Sequence, residues 1–307
     1  MITIVMPTFN KAPRIKIALE HFKFLKSHQY IELIVVNDGS TDDTKKVIDD
    51  CLEALPLHYF QRIKVINTEN KGRANARNEG IAAAENDLVL FLDDDIIVDP
   101  NLVEEHILRH KKQSNLVVRG KIFELPYLKF FEDPSSGKMQ NGGALTSALK
   151  TQIIKNYDDF DSLYNNYLFK NRKTSKFESD IESLYESTDE TNSDDRWIGC
   201  IGANFSISKK SAEVTGFFDV NFGHTWGCED LEFGYRLSKN GNNFSFNSLA
   251  ICYHMSHFRK NYKNDHQKNM NYFLSKHCDY QLELLQKYFK EEISLIDWLN
   301  MKHRRRS

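Results

Sequence analysis

Disulfide and zinc frameworks are missing from this chain. Its five cysteines, Cys51, Cys200, Cys228, Cys252 and Cys278, stand far apart with no CxxC pair among them. That excludes a zinc knuckle or a redox dithiol, and an odd count without a framework fits a reducing compartment. Excess charge is missing too: 41 Lys and Arg against 43 Asp and Glu leave a net charge of -2, so no global field favours nucleic acid. The one basic concentration is the terminal KHRRR, Lys302 to Arg306, which reads as a solvated end and leaves contact with anionic lipid open. No segment reaches the uncharged apolar length that spans a bilayer. Met1 runs straight into the apolar ITIVM, without a basic start or a cleavage site. The expectation is a cytoplasmic protein, with a peripheral position on the inner face of the membrane left open. GxxxxGK[ST] and GxGxxG are both absent, which excludes a Walker or a Rossmann phosphate loop. No internal repeat is visible, and no serine–histidine or cysteine–histidine pair stands out as a nucleophile.

What is present begins with FLDDD, Phe91 to Asp95, where three carboxylates follow the apolar run DLVLFL. Like charges packed at the end of a buried strand repel, so such a cluster calls for a cation. Asp93 and Asp95 are two apart, and in extended backbone they would point to one face and converge on one divalent metal. A solvated acidic loop closed by Asp99-Pro100 is the plainer alternative.

The first third alternates strand and helix. ITIVMPTFN, IELIVVNDGS, RIKVINTEN and DLVLFLDDD read as buried strands. Helical spacing runs over Arg14 to Lys26 and Asp42 to Leu55, and the alanine-rich GRANARNEGIAAAEN reads as a third helix. Continuous apolar strands between amphipathic helices predict an α/β fold with a mostly parallel sheet covered on both faces. Ligands of such sheets sit at the carboxyl ends of the strands. Here PTFN, NDGS, NTENKG and DDD all fall on that edge. The pattern weakens over 123–195, where short helices and a mobile loop are expected. Order returns from Arg196, and Asn269 to Met301 predicts a long helical tail with a stripe of Phe273, Leu284, Leu285, Phe289, Ile293 and Ile296. The stripe suits core packing, a homodimer or a membrane contact. The expected parts are 1–122, 123–195, 196–260 and a helical tail over 261–307.

IVMPTFN, LIVVNDGSTDDT, NKGRANARNEGI and FLDDD, in that order, resemble the nucleotide-binding half of the family-two glycosyltransferases of the GT-A fold. GANFSISKK and WGCEDLEFGYRL resemble the acceptor-side half of chondroitin-polymerase-type, polypeptide N-acetylgalactosaminyl- and galactosyltransferase-like enzymes. The resemblance covers about residues 1 to 260, and it implies a nucleotide-sugar-binding half over 1–122, an acceptor-side insertion over 123–195 and the acceptor and catalytic half of the same domain over 196–260. It implies a metal-dependent, inverting transfer of a hexose or N-acetylhexosamine from a UDP-sugar, with Mn2+ or Mg2+ as cofactor. The acceptor is left open among glycan, lipid-linked, peptide and small-molecule nucleophiles.

Carried onto this chain, Pro7, Thr8 and Phe9 line the base, and Asp38 accepts the imide hydrogen of uracil. Gly72, Arg73 and Arg77, at a helix start, suit the diphosphate or a uracil edge, with Arg77 the favoured nucleotide contact. Asp93 contacts ribose or metal, Asp94 lies between, and Asp95 holds the metal. A later histidine completes the set: His254 first, His257 as runner-up. Asp230 is the general base, Glu229 holds a sugar hydroxyl, and Trp226 offers a face for ring stacking. Gly202, Ala203 and Asn204 form the small-residue strand beneath the donor sugar. Each residue has a plainer role as turn, cap or core. Cys228 stands where the family's W-G-G-E-D has its second glycine, which makes that loop less permissive. Rival expectations are a retaining polypeptide-type transferase, a sugar-phosphate nucleotidyltransferase and a non-catalytic sugar-nucleotide-binding protein. Asp93-Asp94-Asp95 in place of the retaining enzymes' Asp-x-His favours inversion.

Overall fold

The four apolar runs of the first third become β1 (Ile2–Thr8), β2 (Ile31–Asn37), β3 (Phe60–Asn67) and β4 (Leu88–Leu92) in a computed structural model that describes residues 1–54, 60–111, 113, 115–154, 159–189 and 193–304. Leu55, Arg305 and Arg306, named above, lie outside the described residues, as do parts of the 123–195 segment. The four strands pair in parallel in the order β3-β2-β1-β4. β1 and β2 are buried along their whole length, as strands covered on both faces must be. The register sets Thr8 opposite Asn37 and Asn37 opposite Asn67. The polar clusters after these strands therefore emerge at one edge.

The covering helices are α1 (Ala12–His21), α2 (Thr44–Ala54) and α3 (Arg73–Ala83). α1 is shorter than the spacing suggests, because a single 3-10 turn, Phe22–Phe24, follows it before the chain extends at Leu25. Gly80 lets α3 lie close on the sheet: a Cβ there would meet Val5 Cγ1 at 2.3 Å.

The second half of the sheet departs from a simple parallel pattern. β5 (Ile96–Val98), α4 (Leu102–His110) and β6 (Leu116–Glu124) come next, then a small ribbon of β7 (Phe131–Asp133) and β8 (Lys138–Met139). β9 (Asn204–Ser208) inserts antiparallel between β4 and β6, and β10 (Asn243–His254) pairs parallel to β6 and antiparallel to β5. The completed order is β3-β2-β1-β4-β9-β6-β10-β5. Two pairings position the site. Asn204 opposes Leu92, so the residues before β9 sit beside the acidic tip of β4. His254 opposes Ile96 and Glu124, so the end of β10 arrives next to Asp95.

The 123–195 segment carries more order than its composition suggests. Its helix α5 (Lys176–Ser187) is anchored to the sheet by a buried ion pair between Glu178 and Arg119, and Glu178 also accepts the Ile122 amide at 3.0 Å. α6 (Glu229–Lys239) precedes β10. The tail is three helices rather than one long run: α7 (Tyr262–His277), α8 (Tyr280–Phe289) and α9 (Leu295–Arg304). Cys278 and Glu291 sit at the breaks with φ of 48° and 60°. The apolar stripe folds inward. Phe273, Leu284, Leu285 and Trp298 are buried, and the Trp298 ring meets Trp197 edge-on at 6.4 Å. Ile296 stays exposed. Among the described residues no helix is long and apolar enough to cross a membrane.

Candidate active site

Asp93, Asp94 and Asp95 occupy a turn between β4 and β5 and not an extended strand. The rule that residues two apart share a face therefore does not apply, and the three carboxylates go three ways. Asp93 accepts from Arg77 Nη2 at 3.0 Å, and Asp94 accepts from Thr8 Oγ1 at 2.6 Å. Asp95, 2% exposed, lies 3.0 Å from His257 Nε2, 3.5 Å from His254 Nε2 and 3.3 Å from Lys11 Nζ. Burial alone would raise the Asp95 pKa, but His254 and Lys11 hold it well below the usual carboxylate range.

The expected metal ligands Asp95, His254 and Asp93 are thus not the set the structure brings together. Asp95, His254 and His257 offer ligand atoms within 4.8 Å of one another, and Asp93 is tied instead to Arg77. The residues fit a divalent cation. Asp95 Oδ1 is buried without a hydrogen-bond partner, and one carboxylate with two imidazoles is a donor set that divalent first-row metals share, Mn2+ among them. The other face of His254 is held: its Nδ1 lies 2.8 Å from Glu124 Oε2, which also accepts from Ser256 Oγ at 2.6 Å. A carboxylate on one ring nitrogen turns the other toward a metal. Glu124 was not found from sequence; a polar residue ending an apolar strand gives no signal until β10 is known to lie beside it.

Arg77 is a strut. Fully buried, it donates to Glu229 Oε1 at 2.8 Å and to Asp93, and its guanidinium carbon stands 5.3 Å from the centre of the Phe218 ring. A Cβ at Gly202 would meet Arg77 Nη2 at 1.9 Å, so this glycine is where the guanidinium passes. Arg77 thus links α3, the acidic turn and α6, and it also lines the cleft. Arg73 keeps 37% of its side chain exposed in the same cleft, 3.7 Å from Glu229 Oε1.

Asp38 accepts from the Lys71 amide at 2.9 Å, the Gly72 amide at 2.8 Å and Thr68 Oγ1 at 3.4 Å. Three of a carboxylate's roughly four acceptor sites are thereby taken, and its main work is shaping the loop that leads into α3. Gly72 has φ 94°, and a Cβ there would meet Gly223 O at 2.1 Å. Pro7 and Thr8 are buried within β1, whereas Phe9, just beyond it, is 40% exposed at the sheet edge.

Glu229 and Asp230 open α6 and differ sharply in environment. Burial pushes the Glu229 pKa up, but Arg73 and Arg77 overcome this and hold it low. Asp230 accepts from the Gly202 amide at 2.8 Å and the Leu231 amide at 2.9 Å. Burial, with Glu229 alongside, carries it up to about 6. Adjacent carboxylates with pKa values driven apart mark a division of labour: Glu229 keeps its charge, and Asp230 can exchange a proton near neutrality.

Cys228 caps α6 at φ 70°, a left-handed conformation that favours glycine. Strain there costs about 1–2 kcal/mol, offset by packing of the buried thiol and by glycine's larger unfolded-state entropy. Cys228→Gly is expected to keep activity and to move the thermal midpoint by no more than about 3 °C, measured by calorimetry.

Asn204 is corrected. Its side chain is fully buried, paired with His106 Nε2 at 2.8 Å and donating to Ala250 O at 3.0 Å. It ties β9 to α4 and β10 rather than facing a sugar. Gly202 and Ala203, just before the strand, do face the cleft. So do Asp93, Trp226, Glu229, Asp230 and His254, around a volume of about 780 Å³, within the range of small-molecule sites.

A mixed sheet with an acidic tip, and a helix-borne carboxylate lining the same cleft, is the GT-A fold of the solved structures this chain resembles. The chain belongs to glycosyl transferase family 2, whose family model matches residues 3–180. It is 27% identical over 264 residues to the glycosyltransferase YfnE of Bacillus subtilis, covering 83% of this chain and 64% of YfnE. It is 26% identical over 273 residues to the hyaluronan synthase of Pasteurella multocida, covering 88% of this chain and 26% of that protein. The chain therefore spans less than two thirds of either relative. Among solved structures, S. aureus TarS 1-349 in complex with UDP matches with a TM-score of 0.55 at 16% identity, over 94% of this chain and 72% of that one. The mannosyltransferase PcManGT of Pyrobaculum calidifontis, in complex with GDP-Man and Mn2+, matches with a TM-score of 0.57 at 14% identity, over 90% and 63%. At these identities the two structures show the shared fold.

Proposed function

We propose that this chain transfers a hexose or N-acetylhexosamine from a UDP-sugar to an acceptor hydroxyl or similar nucleophile, with inversion at the anomeric carbon. The observation that carries the proposal is Asp230: a carboxylate raised to about 6, oriented by the Gly202 amide, in the same cleft as the acidic turn. The acceptor oxygen attacks the anomeric carbon as the bond to the diphosphate breaks. Its proton passes to Asp230, and UDP leaves. Glu229, locked by Arg77, stays negative and keeps Asp230 basic. Gly202 and Ala203 leave room for the donor ring, and Arg73 offers its exposed guanidinium to the diphosphate. Phe9 gives the uracil a stacking face, and the Asp38 loop shapes the base end. A divalent cation held by Asp95, His254 and His257 would neutralise the charge growing on departing UDP.

Residues 1–122 and 196–260 supply the donor and catalytic sides of one sheet, and 123–195 belongs to the acceptor side. We assign the chain to the cytoplasm, a reading supported by cysteines that are all unpaired.

The test is UDP release from a panel of UDP-sugars, with Mn2+ against chelator. A preferred UDP-sugar that is slowly hydrolysed without acceptor would name the donor. Silence from every UDP-sugar, with release from a GDP-sugar, would overturn the UDP assignment. The pH dependence follows from Asp230. Below its pKa it is protonated and cannot take the acceptor's proton, so kcat/KM for transfer should rise with pH through about 6 and level off above it. A flat profile from pH 5 to 7 would remove Asp230 as the base.

A further inference from the structure

We propose that the end of the cleft built by the C-terminal helices is an acceptor subsite for an oligosaccharide that carries negative charge. The proposal rests on the glycosyltransferase function above and names its acceptor class.

Two observations carry it. The first is a continuous aromatic wall. The Trp226 ring lies 6.3 Å from Tyr262 and 5.9 Å from His266. His266 lies 4.7 Å from Phe289, which stacks on Phe177 at 6.2 Å. All five rings line the cleft that holds Asp230. They come from the loop before α6 and from α7, α8 and α5, so the tail and the 123–195 segment meet here to build one surface. Apolar C–H faces of successive sugar rings pack on such a row, whereas a compact small molecule would use one ring of it.

The second observation is charge. Lys176, Lys263 and Lys290 line the same part of the cleft, and all three are exposed. Among the described residues none of the three makes an ion pair. Arg259 spreads its guanidinium 4.8 Å from the Trp226 ring centre, between this end and the acidic turn. Of the cleft's carboxylates, Asp93 and Glu229 are engaged by Arg77, Glu124 by His254 and Glu178 by Arg119, which leaves Asp230 and Glu291 in the same cleft as the three lysines. Cations without partners beside an aromatic row match a sugar chain bearing carboxylates or phosphates. A neutral chain would gain from the rings alone.

The experiment uses the full chain, its preferred UDP-sugar and acceptor oligosaccharides matched in length. One arm carries hexuronate carboxylates, one carries phosphodiesters, and one is neutral. Transfer should favour a charged arm, and which arm wins identifies the anion. The double variant Lys263→Gln/Lys290→Gln alters two exposed side chains and should fold as the parent does. It should raise KM for the charged acceptor about tenfold, with kcat kept and acceptor-independent hydrolysis of the UDP-sugar unchanged. Phe289→Ala should raise KM for long acceptors more than for a monosaccharide. A neutral acceptor used as well as the charged ones, or a double variant with unaltered KM for all arms, would overturn the proposal while hydrolysis still upheld the donor assignment. Loss of hydrolysis in the parent itself would instead strike the function on which the subsite depends.

Discussion

Asp230→Asn is expected to lower transfer by about 10³-fold, the usual worth of a positioned general base, while UDP-sugar binding changes little. The asparagine keeps an oxygen for the Gly202 amide and a similar volume, so the small-residue turn at Gly202 is not disturbed. What disappears is the carboxylate on α6 that takes up a proton near pH 6. Glu229 cannot take over, because Arg77 at 2.8 Å and Arg73 hold it as an ionised strut. The acid limb of the pH profile should vanish from the residual activity. Single-turnover rates, with calorimetric titration of UDP-sugar, separate the chemical step from binding. Equal rates in parent and variant would leave Asp230 as a helix cap only.

Asp95→Ala is expected to abolish tight Mn2+ binding and to reduce transfer to the background seen with chelator. Asp95 is the carboxylate of the candidate ligand group, and its buried Oδ1 has no hydrogen bond and lies 3.5 Å from His254 Nε2. Glu124→Gln should behave differently. It leaves all three ligands in place but weakens the acceptor that orients His254. Loss of such a partner costs about 10–100-fold in metal affinity, so excess Mn2+ should restore Glu124→Gln and fail to restore Asp95→Ala. Mn2+ binding measured by electron paramagnetic resonance gives both affinities without turnover. Equal affinity in the parent and both variants would remove the cation from this position.

The parts that could be read from the residues were those governed by local pattern. Apolar runs separated by amphipathic spacing gave the parallel half of the sheet, and the polar clusters ending them fell on its binding edge. Long-range pairing was hidden. Nothing in GANFSISKK announces that β9 runs antiparallel between β4 and β6, yet this pairing buries Asn204 and leaves Gly202 and Ala203 facing the cleft. Asp93 and Asp95 share a face only in extended backbone, and a turn separates them. The strut formed by Arg77 is hidden because its partners, Asp93 and Glu229, lie 16 and 152 residues away in sequence. Glu124 is invisible for the same reason. The middle segment hides how α5 is held, because beside its apolar face of Ile181, Leu184 and Tyr185 the anchor is a buried ion pair between Glu178 and Arg119, 59 residues apart in sequence.

The most direct measurement is the anomeric configuration of the product, read by proton coupling at the new linkage. Direct attack by the acceptor, with Asp230 as its base, predicts a bond opposite in configuration to that of the donor. A product that keeps the donor's configuration would contradict the single displacement and the part assigned to Asp230.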